Sequence, residues 1–241
     1  MSGSPRNLTP PDDIASRLDQ VRSRIARAAA ATHRNPADIR LVAVSKTFGV
    51  EHIRRAAAAG QEDFGENRVQ EALQKMGGSA DLSIRWHLIG TLQSNKARKA
   101  AEAFSWIHSV DSLDLLQRLD NTASAAGTRP RLLVQVDLAG EATKHGAPLA
   151  AVPAIFEAAR ACRAVRLVGL MVLPPWFEDP QAARPYFQQL RRLRDQLRDR
   201  GVPDDMLQEL SMGMSHDFEA AVEEGATIVR IGTAIFGKRT V

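Results

Sequence analysis

The chain has 241 residues, 44% hydrophobic and 25% charged, with a formal net charge of +4. That is enough for one large domain or two small ones, and it argues against a nucleic-acid binder, because the basic residues are scattered among acids with no long basic run. The single cysteine, Cys162, excludes an intrachain disulfide and a cysteine-rich zinc site; no signal segment or membrane-spanning apolar run is evident, so a cytoplasmic location is expected.

Residues 1–8 read as a mobile polar tail, with one domain expected over 9–241. Thr9 is the expected N-cap of a first helix, with prolines in its first turn. Strands and helices then alternate. Strands are predicted near 40–46, 62–66, 84–90, 106–110, 131–137, 167–173, 207–212 and 228–232. Helices are predicted near 50–60, 67–76, 94–103, 112–126, 149–162, 180–200 and 215–224. In the longest of these, Phe187, Leu190, Leu193 and Leu197 fall on one face, and Gly201 with Pro203 ends it. Cys162, in RACRAV, falls near a helix end and reads as a structural bystander.

Strands separated by helices pair in parallel through right-handed crossovers. Eight of them predict an α/β fold, a single-domain (β/α)8 TIM barrel with an extra N-terminal helix. The alternative is a doubly wound open sheet, weakened by the lack of a glycine-rich dinucleotide fingerprint after the first strand.

Function in such a barrel collects where the strands end. In LVAVSKTFG, Lys46 follows the apolar run Leu41–Val44 almost at once. A lysine is costly to bury, and burial lowers its pKa, which makes a nucleophilic amine easier to obtain. The plain alternative is a solvated lysine. Asn67 follows the second strand, where it would cap a helix or line a site, and His87 lies in the third, as a ligand contact or a barrel-interior histidine. In SMGMSHDFEAA, Ser211, Met212, Gly213 and Ser215 form a small, donor-rich turn; in RIGTAIFG, Gly232 and Thr233 form another. Two such turns after the last two strands predict a phosphate site, although Ser215 taken alone reads better as a helix N-cap. A strand-end lysine with a phosphate cradle suggests a Schiff base to a phosphorylated carbonyl compound. Both a sugar phosphate and pyridoxal 5′-phosphate (PLP) fit.

The motifs AVSKT, FGENRVQE, WHLIGTLQSNK, HSVDS, GLMVLP, LSMGMSHD and VRIGTAIFG together resemble the pyridoxal phosphate homeostasis protein family, relatives of the barrel domain of bacterial alanine racemase. The resemblance runs from the first strand to the last. It implies PLP held covalently as a Schiff base on Lys46, Arg230 facing the pyridine nitrogen, and phosphate on the SMGMS and GT turns. It also places Asn67 and His87 at the mouth. Without it, Arg230 reads as a salt-bridged arginine at a strand end. Thr91 in GTLQSNK stands where many relatives have another small residue or proline, which does not touch the cofactor argument.

The implied role is a carrier that buffers or delivers PLP, with PLP-dependent apo-enzymes as recipients, no catalytic residues and a monomeric state. The alternative is a weak PLP-dependent racemase; a Schiff-base aldolase is a third reading. Racemisation needs an acid/base group on each face of the bound amino acid. Lys46 supplies one. The only tyrosine, Tyr186, sits in the long helix after the sixth strand, and the chain ends at Val241 directly after the eighth strand, so a second domain is expected to be absent. Whether a second lysine such as Lys144 also holds cofactor is left open.

Overall fold

The computed structural model describes residues 14–140 and 146–237; the expected N-cap Thr9 and Lys144 lie outside them. The strands are β1 (Arg40–Val44), β2 (Asp63–Glu66), β3 (Arg85–Leu88), β4 (Trp106–Val110), β5 (Arg131–Asp137), β6 (Ala147–Pro148), β7 (Arg166–Met171), β8 (Glu209–Ser211) and β9 (Ile228–Ile231). Every pairing is parallel. β4-β3-β2-β1-β9-β8-β7-β5 follow one another, and β4 pairs again with β5, which closes a ring of eight. The two-residue β6 hangs on β5 outside the ring. The open-sheet alternative therefore falls away, since both of its would-be edges are paired.

The helices are α1 (Ile14–Ala31), α2 (Val50–Ala58), α3 (Val69–Gly78), α4 (Ala97–Ala103), α5 (Leu113–Ala126), α6 (Val152–Ala159), α7 (Arg184–Asp199), α8 (Phe218–Glu223) and the short α9 (Thr233–Phe236). α7 buries Phe187, Leu190, Leu193 and Leu197 and stops before Gly201, whose φ is +85°. Ser112 caps α5 by accepting from Leu115 N, and Gly127 ends it in the left-handed region. α1 packs against α2, α8 and α9, bridging the first and last βα units; Arg24 pairs with Glu219, and Arg34 binds the carbonyls of Val222 and Ala226.

Strand residues that face outward join the helices in the main apolar core. Inside the ring a second, smaller core holds Val42, Trp106, Leu133, Val168, Met171 and Ile228. β4 and β5 keep their predicted bounds, and the other predicted strands are shorter than expected. β1 stops at Val44, so Lys46 lies in the turn beyond it, and β8 spans only three residues. No helix among the described residues is long and apolar enough to cross a membrane. Cys162 is half-buried beyond α6, its thiol pushed up to about 11 by burial and by the charge of Asp120.

Candidate functional site

The ring order decides which strand ends meet. β1 lies between β2 and β9, and β9 lies between β1 and β8. The turns after β2, β1, β9 and β8 therefore share one arc of the barrel mouth. They carry Asn67, Lys46, Gly232 with Thr233, and Gly213 with Ser215. Lys46 is half-buried there, directly before Thr47, whose φ is +70°. The Gly232 turn packs beside it: a Cβ at Gly232 would stand 3.3 Å from Val44 O.

The two late turns are joined to each other. Ser215 Oγ accepts from Gly232 N at 3.1 Å and from Ala234 N at 3.4 Å. Ser215 therefore does not cap α8, the plain alternative of the sequence reading; Asp217 stands at that cap and accepts from Met214 N. Gly213 is required by shape: its φ is +92°, and a Cβ there would lie 2.6 Å from Ala221 Cβ. Its carbonyl accepts from Arg230 N. Thr233 is exposed at the start of α9. Met212 bonds through its backbone to Ile228 O and packs its side chain in the outer core.

Asn67 is half-buried and does not cap α3, whose cap position is Arg68. It lines a cleft of about 540 Å³ with Arg68, Thr91, Leu92, Gln93 and Lys96. The loop after β3 closes on it; a Cβ at Gly90 would stand 2.4 Å from Asn67 O.

Arg230 reaches into the barrel and is only 2% exposed. Nη1 donates to Ser211 Oγ at 2.6 Å and Nη2 to Val172 O at 2.8 Å. These bonds use two of the five donors of a guanidinium. Burial draws its pKa down to about 10, with the charge of Asp217 acting the other way, so it is protonated at neutral pH.

Beneath Arg230 a row of polar groups crosses the barrel. Ser211 Oγ lies 2.9 Å from His108 Nδ1, His108 Nε2 lies 3.0 Å from His87 Nδ1, and His87 Nε2 lies 2.9 Å from Asp63 Oδ1. Asp63 also takes a two-pronged contact from Arg85 at 2.8 Å and one from Arg40 at 3.2 Å. Burial alone would raise the Asp63 pKa. The bonds from Arg85 and His87, with the charge of Arg40, outweigh it and hold the carboxyl well below its ordinary range. That carboxylate accepts a hydrogen bond from the Nε2–H of His87. The bare Nδ1 of His87 then accepts from His108 Nε2, and the bare Nδ1 of His108 accepts from Ser211. Burial lowers the pKa of both histidines, that of His108 further still because of positive charge around it.

Two of the sequence-predicted residues lie inside the barrel, apart from the turns. Ser211 faces inward, and its hydroxyl accepts from Arg230 and donates to His108, so it supports Arg230 from below instead of joining the cradle. His87 is fully buried with both ring nitrogens engaged, and its ring stacks on Trp106 at 5.3 Å. The interior alternative is the one that describes it. Sequence reasoning missed Asp63 and His108. The signal was period two: Asp63, Gly65, His87, Trp106 and His108 stand at inward positions, alternating with the outward Phe64, Trp86, Leu88 and Ile107.

The row gives stability a pH dependence. Each histidine has a depressed pKa in the fold, so below the unfolded value of about 6.5 the unfolded chain binds protons that the folded chain does not. Stability is therefore fully present above that pH and declines as pH falls through it, by about 1.4 kcal/mol per pH unit per histidine. Urea melts at pH 7.5 and 5.5 should show a loss of up to about 3 kcal/mol; equal midpoints and slopes would contradict neutral, locked imidazoles.

At the opposite end of the strands, around Asp63, clefts of about 400 and 550 Å³ open, lined among others by Arg40, Arg85 and Arg131. Arg40 and Arg131 each lie 5.1 Å from the Trp106 ring centre. These hollows lie at the N-terminal end, away from the loops that carry function in such barrels. Among the described residues no group of three or more His, Cys, Asp or Glu side chains could hold a metal ion.

A closed parallel barrel with an arginine at its centre and a lysine and two small turns on one arc of its mouth defines an alanine-racemase-type barrel, and residues 16–240 match the family model described as alanine racemase, N-terminal domain. The chain is 47% identical over 226 residues to the pyridoxal phosphate homeostasis protein of Pseudomonas aeruginosa, covering 94% of this chain and 96% of that one. Its counterpart in Aquifex aeolicus is 42% identical, covering 94% and 99%. The chain belongs to the pyridoxal phosphate homeostasis protein family. A solved structure of PipY from Synechococcus elongatus with PLP bound is 44% identical, covers 93% of this chain and 100% of that chain, and superposes with a TM-score of 0.83. An alanine racemase from Clostridium difficile shares the fold at 16% identity and a TM-score of 0.71, over 98% of this chain and 61% of its own.

Proposed function

We propose that the protein binds PLP at the Lys46 mouth and serves PLP balance in the cytoplasm, holding the cofactor and passing it to PLP-dependent apo-enzymes, as a monomer and without efficient catalysis. The observation that carries this is Arg230, buried on β9 with donors left over after Ser211 and Val172, on the arc that also presents Lys46 and the Ser215–Gly232 turns. The fit is chemical at each point. Lys46 supplies the amine that would hold an aldehyde. The convergence of two backbone N–H groups on the Ser215 oxygen marks a place where an anionic oxygen would be welcome, with Thr233 exposed beside it. Asn67 lies on the same arc.

PLP bound there would supply an aldehyde for Lys46 and a pyridine ring able to withdraw electrons. Arg230 limits the second property. A guanidinium donates to a ring nitrogen and disfavours a proton on it, which keeps the ring a weak electron sink. Tyr186 lies on α7, against Phe177 at 5.9 Å between ring centres, which is packing and not an acid/base position opposite Lys46. A missing acid/base group lowers turnover roughly 10²–10⁴-fold. Solvent deuterium should therefore enter Cα of common amino acids only slowly in the presence of the loaded protein, with L/D ratios unchanged over hours. Rapid, saturable racemisation lost in Lys46→Ala would replace the carrier reading with the racemase.

The cradle has its own test. A hydrogen bond to a charged partner contributes roughly 1.5–3 kcal/mol. Ser215→Ala and Thr233→Ala should each weaken PLP retention on the order of ten-fold, measured by equilibrium dialysis, and pyridoxal should bind poorly to the parent. Equal affinity for pyridoxal and PLP would refute a phosphate site.

A further inference from the structure

The turn that carries Lys46 is bolted to the next βα unit through one buried ionic cluster. Lys75, on α3, is buried, and its ammonium donates to Ser45 O at 2.8 Å, Glu66 Oε1 at 2.7 Å and Glu71 Oε1 at 2.7 Å. An ammonium has three donors, and all three are spent. Ser45 Oγ donates to the same Glu66 oxygen at 2.7 Å. Glu71 Oε1 accepts a second bond, from Thr47 N at 2.7 Å. The residue before Lys46 is thus held by its carbonyl and its hydroxyl, and the residue after it by its amide.

Two features set this cluster apart from ordinary packing. Thr47 is β-branched yet sits at φ +70°. That region is a true outlier for such a residue and persists only where the surroundings over-determine it. Moreover, a buried ion cluster gains little stability over apolar side chains of the same volume, so it is better explained by the geometry it imposes. What it constrains is the backbone on both sides of one residue, and that residue is Lys46.

We infer, resting on the role proposed above for Lys46, that Lys75 and Glu71 are positioning residues that fix the direction in which the Lys46 side chain leaves the backbone. Lys75 has a second effect. With its nitrogen enclosed by three acceptors, it is no competitor for the aldehyde, although it lies just beneath the same turn.

The experiment uses Glu71, because its side chain is 28% exposed and its loss leaves the core filled. In Glu71→Ala, amide hydrogen exchange of the 45–49 segment in the cofactor-free chain should accelerate on the order of ten-fold. PLP capture at Lys46, trapped with borohydride and mapped by peptide, should slow on the order of ten-fold, as expected when a reacting group is displaced by a fraction of an ångström. Glu71→Gln keeps an acceptor oxygen in the same place and should restore both. Lys75→Met should move both readouts the same way and further. A role in stability alone would lower the melting temperature and leave the capture rate of the folded protein unchanged. A Glu71→Ala capture rate within two-fold of the parent, or equal behaviour of the Ala and Gln variants, would overturn the inference. If the parent takes no label on Lys46, the attachment role falls; unchanged exchange at 45–49 in Glu71→Ala would then sink the clamp as well, and faster exchange would uphold it.

Discussion

Lys46→Ala should abolish the visible absorbance that the parent chain acquires with PLP, while far-ultraviolet circular dichroism and the melting temperature stay close to the parent's. The loss should be complete, because the linkage needs an amine and the neighbouring one, Lys75, has every donor bound. Lys46 itself lies in a turn beyond β1, half-buried, so its truncation removes little packing. In the parent, borohydride reduction and peptide mapping should place the pyridoxyl group on Lys46. A main label on any other lysine would sink the assignment, whatever the spectrum of the alanine variant.

Asp63→Ala should be among the most destabilising single substitutions in the barrel, at about 3 kcal/mol. Removing one partner of a buried ionic group typically costs about 3–5 kcal/mol, and Arg85, which is partly exposed, regains some of that by rehydrating. Out of a total stability on the order of 5–15 kcal/mol, such a loss is large. His87 would lose the acceptor that fixes its tautomer, and the disorder would pass along the row to Ser211 and Arg230. PLP retention should therefore fall even under conditions where the variant is folded, although Asp63 lies at the far end of the barrel from Lys46. A variant as stable as the parent in urea, with undiminished retention, would show the row to be incidental.

The barrel was legible because its signals are local and repeated. Apolar runs bounded by turn residues marked the eight strands, and the α7 stripe of Phe187, Leu190, Leu193 and Leu197 marked a helix by spacing alone. Closure was an inference from strand count, and the β4–β5 pairing supplies it. The mouth was legible in part. Lys46, Gly213 and Gly232 stand at strand ends, where position along the chain is enough to place them. The placement of Ser211 and His87 was not legible because it depends on which face of a strand each residue occupies, and a one-residue shift in register exchanges the faces. Ser211 is the last residue of β8, so chain position alone could not tell a rim hydroxyl from an inward one. Lys75, Glu71 and Glu66 escaped notice for a different reason. On α3 the lysine and Glu71 read as an ordinary i, i+4 pair on a solvated face, and only the packing of α3 under the β1 turn turns them inward.

The polar row inside the barrel has a fixed sense. Arg230 donates a hydrogen bond to Ser211, Ser211 to His108, His108 to His87 and His87 to Asp63. A chain that relays protons must be able to turn over, so that each member becomes an acceptor on one side and a donor on the other. This one is blocked at both ends. A guanidinium has no lone pair with which to accept, and an ionised carboxylate has no hydrogen to give. The row is therefore a ratchet with one setting. It cannot turn over to send a proton back toward the mouth, and whatever molecule rests on Arg230 meets the same array of donors each time it returns.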